Sequence, residues 1–311
     1  MPIVRYHAEQ FAAGNPLLVG AHDLDVTWEE INWAAQTVGK AEHHIGVHGL
    51  FSLFESVYRT TIVWANLMES GAGRLIKSPA YEALDPSEKG SISYYLGLIF
   101  AKLFAFRRLD TPWLLHFDVY GEEHDALLEG AEKPDLIGLN AAGHWIVYEA
   151  KGRTGGFSTS VLAGAKDQAE EIITIGGVEP TLRIGGLVCF RSDGLHLFVV
   201  DPPSSKRRRS RKVKLSEQEF LASYYSTLNA ALDVRQDARR EDRNGEEYRI
   251  LELSDLDVSI GVPVRLPPHR RVTAPAHIAA PRFIGPDGVE ITLGNAWSPL
   301  NMRRDPRLRI R

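Results

Sequence analysis

Residues 134–151 read PDLIGLNAAGHWIVYEAK, and this stretch decides the fold. Two apolar runs, DLIGL and WIVYEAK, flank the turn-forming NAAGH, which predicts a β-hairpin. Side chains alternate across a strand, so Glu149 and Lys151 share one face and Ala150 takes the other. A hairpin centred on Ala142 sets Asp135 directly across from Glu149, with Cβ atoms ~4.5–5.5 Å apart. Trp145, Ile146, Val147 and Tyr148 make the second strand apolar on both faces, as in a central strand. Charges at the end of such a strand are costly unless employed. The bland alternative is a solvated hairpin whose Asp, Glu and Lys form a weak surface cluster.

Working outward, SEKGSISYYLGLIFAKLFAFRRL before the hairpin predicts a largely buried helix, with Ser87 or Asp85 as its cap. WLLHFDVYG follows as a strand, and the acidic EEHDALLEGAEK leads on to the hairpin. Beyond Lys151, GRTGGFSTS is a Gly-rich link and AGAKDQAEEIITI a helix. RIGGLVCF and LHLFVV then read as two strands around RSDG. This order predicts an α/β core with a mixed central sheet flanked by helices. It spans residues 87–202 and ends at Asp201-Pro202-Pro203, where neither proline supplies a ladder donor. Residues 1–86 read as a mostly helical region, with Asp25 or Thr27 capping WEEINWAAQTVGKAEH and a second helix in GLFSLFESVYRTTIVWANLM. Residues 203–311 read as a basic carboxy-terminal region: the run SSKRRRSRKVK, a helix over LSEQEFLASYYSTLNAALDVRQDARR, and a Pro-rich stretch ending in RRDPRLRIR.

The 311 residues are 44% hydrophobic and 24% charged, a globular balance that excludes disordered, collagen-like and coiled-coil chains. The lone Cys189 can form no internal disulfide, and no apolar run approaches the ~18 residues of a membrane span. No signal-peptide pattern opens the chain, so the expectation is a soluble, cytoplasmic protein. Charge is split along the chain. Residues 1–202 hold 15 Lys/Arg against 26 Asp/Glu, a net of −11, and residues 203–311 hold 21 against 14, a net of +7. The two parts are expected to do different jobs.

Two opposed carboxylates call for a cation between them. Carboxylate oxygens, a backbone carbonyl and water suit Mg2+, and the Ala150 carbonyl is a third protein ligand beside Asp135 and Glu149. A divalent ion there activates water and orients a phosphoryl group, and the Lys151 ammonium stabilises the charge that develops on in-line attack. At Pro134-Asp135 and Glu149-Ala150-Lys151 the chain resembles the PD-(D/E)XK nuclease superfamily, over residues 87–202. The resemblance implies a restriction-endonuclease-like fold, Asp135 and Glu149 as ligands of Mg2+ (or Mn2+), Lys151 as the catalytic lysine, and Gln168 as the glutamine that several branches place on the following helix. Glu88 is a weaker match to the acidic residue that some branches carry on the preceding helix. It further implies DNA as the substrate, a homodimer or higher oligomer, and, by analogy, a restriction or phage-defence role.

Arg153 and Thr154, directly after Lys151, are candidate phosphate contacts. Lys206, Arg207, Arg208, Arg209, Arg211 and Lys212 would neutralise phosphates without reading sequence; as a linker they would simply be solvated. Rival expectations are a non-catalytic binding module on the same fold, or a nuclease subunit silent until a partner or ligand activates it. His44 and His48 lack the glutamate of a hydrolytic HExxH motif and read as ordinary helix residues. Cys189, inside LVCF, reads as packing.

Overall fold

The computed structural model describes residues 1–12, 15–38, 50–117, 134–140, 142–201, 211–234, 239–243, 245–265, 282–298 and 301–302. The chain forms β1 (Ile3–Glu9), β2 (Gly20–Asp25), α1 (Trp28–Thr37), α2 (Leu50–Asn66), β3 (Leu67–Glu69), β4 (Leu75–Lys77), α3 (Pro79–Ala83) and α4 (Pro86–Leu109). Next come β5 (Trp113–His116), β6 (Leu136–Leu139), β7 (Trp145–Arg153), α5 (Thr159–Ala169), β8 (Ile172–Ile175), β9 (Leu182–Arg191) and β10 (Gly194–Val200). The remainder is β11 (Arg211–Val213), α6 (Glu217–Val234), β12 (Arg239–Arg243), β13 (Glu246–Leu253), β14 (Val258–Pro263), β15 (Arg282–Ile284) and β16 (Glu290–Leu293).

The architecture is mixed α/β. Seven strands form a central mixed sheet in the order β2-β1-β10-β9-β7-β6-β5. The β1–β10 and β7–β9 pairs are parallel and the others antiparallel. No helix among the described residues is long and apolar enough to cross a membrane.

Local chemistry explains the elements that hold the sheet. Helix α4 opens on a capping box, in which the Asp85 side chain accepts from the Ser87 and Glu88 amides and Glu88 Oε2 accepts from the Asp85 amide. Pro86 occupies the first turn, where its missing N–H is not needed. The helix is apolar on most sides, and Leu96–Ala105 are all buried. It packs on β7 and β9 so closely that a Cβ built on Gly152 would run into the Ser93 carbonyl. Gly152→Ala is therefore expected to lower stability by about 3 kcal/mol or more, because backbone rather than a mobile side chain blocks the methyl. Urea denaturation measures this, and an unchanged midpoint would contradict the packing.

Three sequence expectations change. Residues 1–86 contain strands β1 and β2, which extend the central sheet, as well as helices. In β1 Val4, Tyr6 and Ala8 are buried while Arg5 and His7 face the other way, so the strand signal is a mixed alternation rather than an apolar run. IITI is not the tail of α5 but strand β8, paired in parallel with β11. Strands also continue after Asp201: β12-β13-β14-β16-β15 form a five-stranded antiparallel sheet. One buried apolar cluster includes Val4, Phe104, Val147, Tyr225 and Ile291.

Candidate active site

Strands β6 and β7 pair with Leu136 opposite Tyr148 and Ile137 opposite Val147. One rung further along the same register, Asp135 stands opposite Glu149. Each carboxylate accepts from the facing strand: the Asp135 amide donates to Glu149 Oε2 at 2.6 Å, and the Ala150 amide donates to Asp135 Oδ2 at 3.0 Å. The Lys151 ammonium is ion-paired and hydrogen-bonded with Glu149 Oε1. The structure thus brings Asp135, Glu149 and Lys151 together.

The environment of Glu149 is unusual for a carboxylate. It is 1% exposed, and across the sheet its ladder partner is Gly185. A Cβ on Gly185 would lie 2.6 Å from the Lys166 backbone nitrogen, so only glycine lets α5 settle on the sheet beside Glu149. Burial, and then the charge of Asp135, push the Glu149 carboxyl up to about 7, while Lys151 pulls it down. A buried acid next to another acid is a site short of positive charge.

The donor set fits a hard divalent cation. In an extended strand the N–H and C=O of one residue point to the same side. The Ala150 amide reaches Asp135, so the Ala150 carbonyl is directed the same way and joins Asp135 and Glu149 as a candidate ligand. No group of three or more His, Cys, Asp or Glu side chains suited to a metal occurs among the described residues, so water would complete the coordination. Glu88 does not contribute. It is exposed at the start of α4, where its carboxylate is engaged in the capping box.

The remaining candidates separate. Gln168 is half-buried in the last turn of α5, and no hydrogen bond joins its side chain to Asp135, Glu149 or Lys151 among the described residues. Arg153 ends β7 two residues past Lys151 and therefore on the same face, and Thr154 is exposed just beyond it. Arg211 and Lys212 lie in β11, paired with β8. Lys206, Arg207, Arg208 and Arg209 lie outside the described residues, as do His44, His48 and the arginines from 303 onward. Cys189 is buried, and burial pushes its thiol up, which suits packing rather than attack.

Sequence reading missed His7, His196 and Arg191. His7 Nε2 and His196 Nδ1 are 3.1 Å apart, and His196 Nε2 is 2.8 Å from Asp193 Oδ1. Burial holds both imidazoles below their ordinary range, with Arg191 and Arg5 adding to the effect. Only the parallel pairing of β1 with β10 brings these residues together, and no local pattern announces it. Comparison with protein-family models, curated proteins and solved structures finds no match.

Proposed function

We propose that this protein is a metal-dependent nuclease of the PD-(D/E)XK type, on a restriction-endonuclease-like core, that hydrolyses DNA phosphodiester bonds. The observation that supports it is the opposition of Asp135 and Glu149 on one rung, with Lys151 beside them on the same face. Asp135, Glu149 and the Ala150 carbonyl would hold Mg2+ or Mn2+, which when bound supplies Lewis acidity and a more acidic water. The protein's own groups do the rest. Asp135 and Glu149 are fixed by amide donors from the opposite strand, so they need no reorganisation to act together. The Lys151 side chain, 34% exposed and paired with Glu149, would stabilise charge on an attacked phosphate through its ammonium. Cutting both strands calls for two such sites, hence for a pair of chains.

Incubating supercoiled plasmid and single-stranded DNA with the protein in Mg2+ and then in EDTA tests this reading. Cleavage in Mg2+ and none in EDTA is expected. Asp135→Ala should lower the Mg2+-dependent rate at least about a hundredfold. Plasmid and single-stranded DNA both left intact, or identical metal titrations for variant and wild type, would remove the hydrolytic reading.

A further inference from the structure

The sheet face that carries Glu149 and Lys151 is covered by α5 only in part. Leu162 packs there on Leu187, Cys189 and Phe198, in a cluster separate from the main core. Ladder partners project to the same side, so the registers extend this face across the sheet. Arg153 is level with Cys189, Cys189 with His196, and His196 with Arg5. On the next rung Lys151 is level with Leu187, Leu187 with Phe198, and Phe198 with His7.

Two features of this strip coincide. The first is an aromatic column. Phe157, 42% exposed in the link before α5, has its ring centroid 4.3 Å from Phe198. Phe198 stacks on His7 at 4.4 Å and 5°, and His7 on His196 at 5.4 Å and 16°. The second is positive charge. Arg153 and the exposed Arg191 are near enough to Cys189 for their charges to act on its thiol. Neither has a carboxylate partner among the described residues. Arg5 and Arg74 together clamp the single carboxylate of Asp23, at 3.1 and 2.7 Å. The acids on this side include, beyond the Asp135–Glu149 pair, Asp23 and Asp25 on β2, Asp193 against His196, and Glu9 at the end of β1.

We propose that this strip is a platform for an unpaired DNA strand. A base stacks on Phe157, and the phosphates on either side of it run past Arg153 and Arg191 toward Lys151. The choice of single over double strand follows from Phe157, the exposed end of a column in which Phe198 and His196 are buried and hold its ring in place. A base offers its ring face only when unstacked, whereas a duplex presents phosphates alone and would gain nothing from an exposed phenylalanine. The inference rests on the nuclease reading for its nucleic acid, and it assigns that nuclease a substrate with a single-stranded segment.

The test is fluorescence anisotropy in EDTA, where nothing is cut, with a labelled oligothymidylate of about 12 nucleotides and a duplex of equal length. Phe157→Ala is expected to weaken single-strand binding about tenfold and to leave the duplex nearly unaffected. Arg191→Gln should weaken it and flatten its salt dependence. Arg240→Gln, on β12, removes the same charge elsewhere and should change neither. Absent single-strand binding, or single-strand affinity unaltered by Phe157→Ala, overturns the platform, as does an equal loss for both probes. The outcomes remain separable from those of the plasmid assay. A protein that cuts but shows no dependence on Phe157 loses the platform alone, and one that binds through Phe157 yet cuts neither the plasmid nor the oligothymidylate in Mg2+ loses hydrolysis alone.

Discussion

Lys151→Ala is expected to lower Mg2+-dependent DNA cleavage by about 10²–10³-fold, the usual cost of removing one preorganised group that meets charge in the transition state. The side chain is a third exposed and lies near the end of β7, where the buried contacts are made by the residues before it, so folding should survive. A melting curve close to wild type, beside a plasmid that stays supercoiled, is the predicted pair of results. A variant that cuts at the wild-type rate would exclude Lys151 from the chemistry. The substitution has a second signature, in pH. Glu149 holds its proton up to about 7 in the fold, against an ordinary value of 4.5. The folded chain therefore binds more protons than the unfolded one between those values, and in EDTA this carboxyl makes stability fall as pH rises through that window. Lys151 is the cation that restrains the shift, so in Lys151→Ala the window should widen on its alkaline side. Thermal unfolding across pH 5 to about 9 measures it.

Asp287→Ala is expected to destabilise the whole protein by about 3–5 kcal/mol, because it breaks a buried charge pair and leaves its remaining members without their partner. Lys102, on α4, is fully buried. It donates to the Pro112 carbonyl and to the Tyr224 hydroxyl, at 2.5 Å in the latter case, and lies 4.6 and 4.4 Å from the ring centroids of Trp33 and Tyr224. The Tyr224 hydroxyl in turn donates to Asp287 Oδ2 at 2.6 Å, and Trp33 Nε1 lies 2.9 Å from both carboxylate oxygens. Burial pulls the Lys102 ammonium down to about 7, and Asp287 opposes that pull. Without the carboxylate the ammonium has no counter-charge, and the indole and phenol lose their acceptor. The network joins α1, α4, α6 and the β15–β16 turn, so the loss should appear as one earlier transition rather than a separate melting of the second sheet. Replacing both charges, as Lys102→Met with Asp287→Asn, should cost less than the two single changes added together. Strict additivity, or wild-type stability of Asp287→Ala, would show that the two groups are not coupled.

The hairpin was legible from sequence because a short turn and a two-residue period fix its register, and the register alone brings Asp135 to Glu149. The start of α4 was legible for a similar reason, since Asp85, Pro86 and Glu88 are a local signal. What stayed hidden depends on distant partners. β1 mixes Arg5 and His7 into a strand whose neighbour is β10, nearly two hundred residues on. β12 is RREDR, which has no apolar side chain at all and is held by its pairing with β13. IITI continues a helical period but is drawn into a strand by β11. At the site, the two acids, the lysine and Arg153 could be placed from the hairpin. Arg191, Phe157 and the two histidines needed the order of the central strands.

The parallel pairing of β1 with β10 also sets an order of events in biosynthesis. β1 leaves the ribosome long before its parallel partner exists, and until residue 200 is made the strand lacks that neighbour. Arg5 and His7 consequently cannot line up with His196 and Phe198 until well after residues 134–151 have been made. Such a long-range closure raises the contact order of the fold and slows folding.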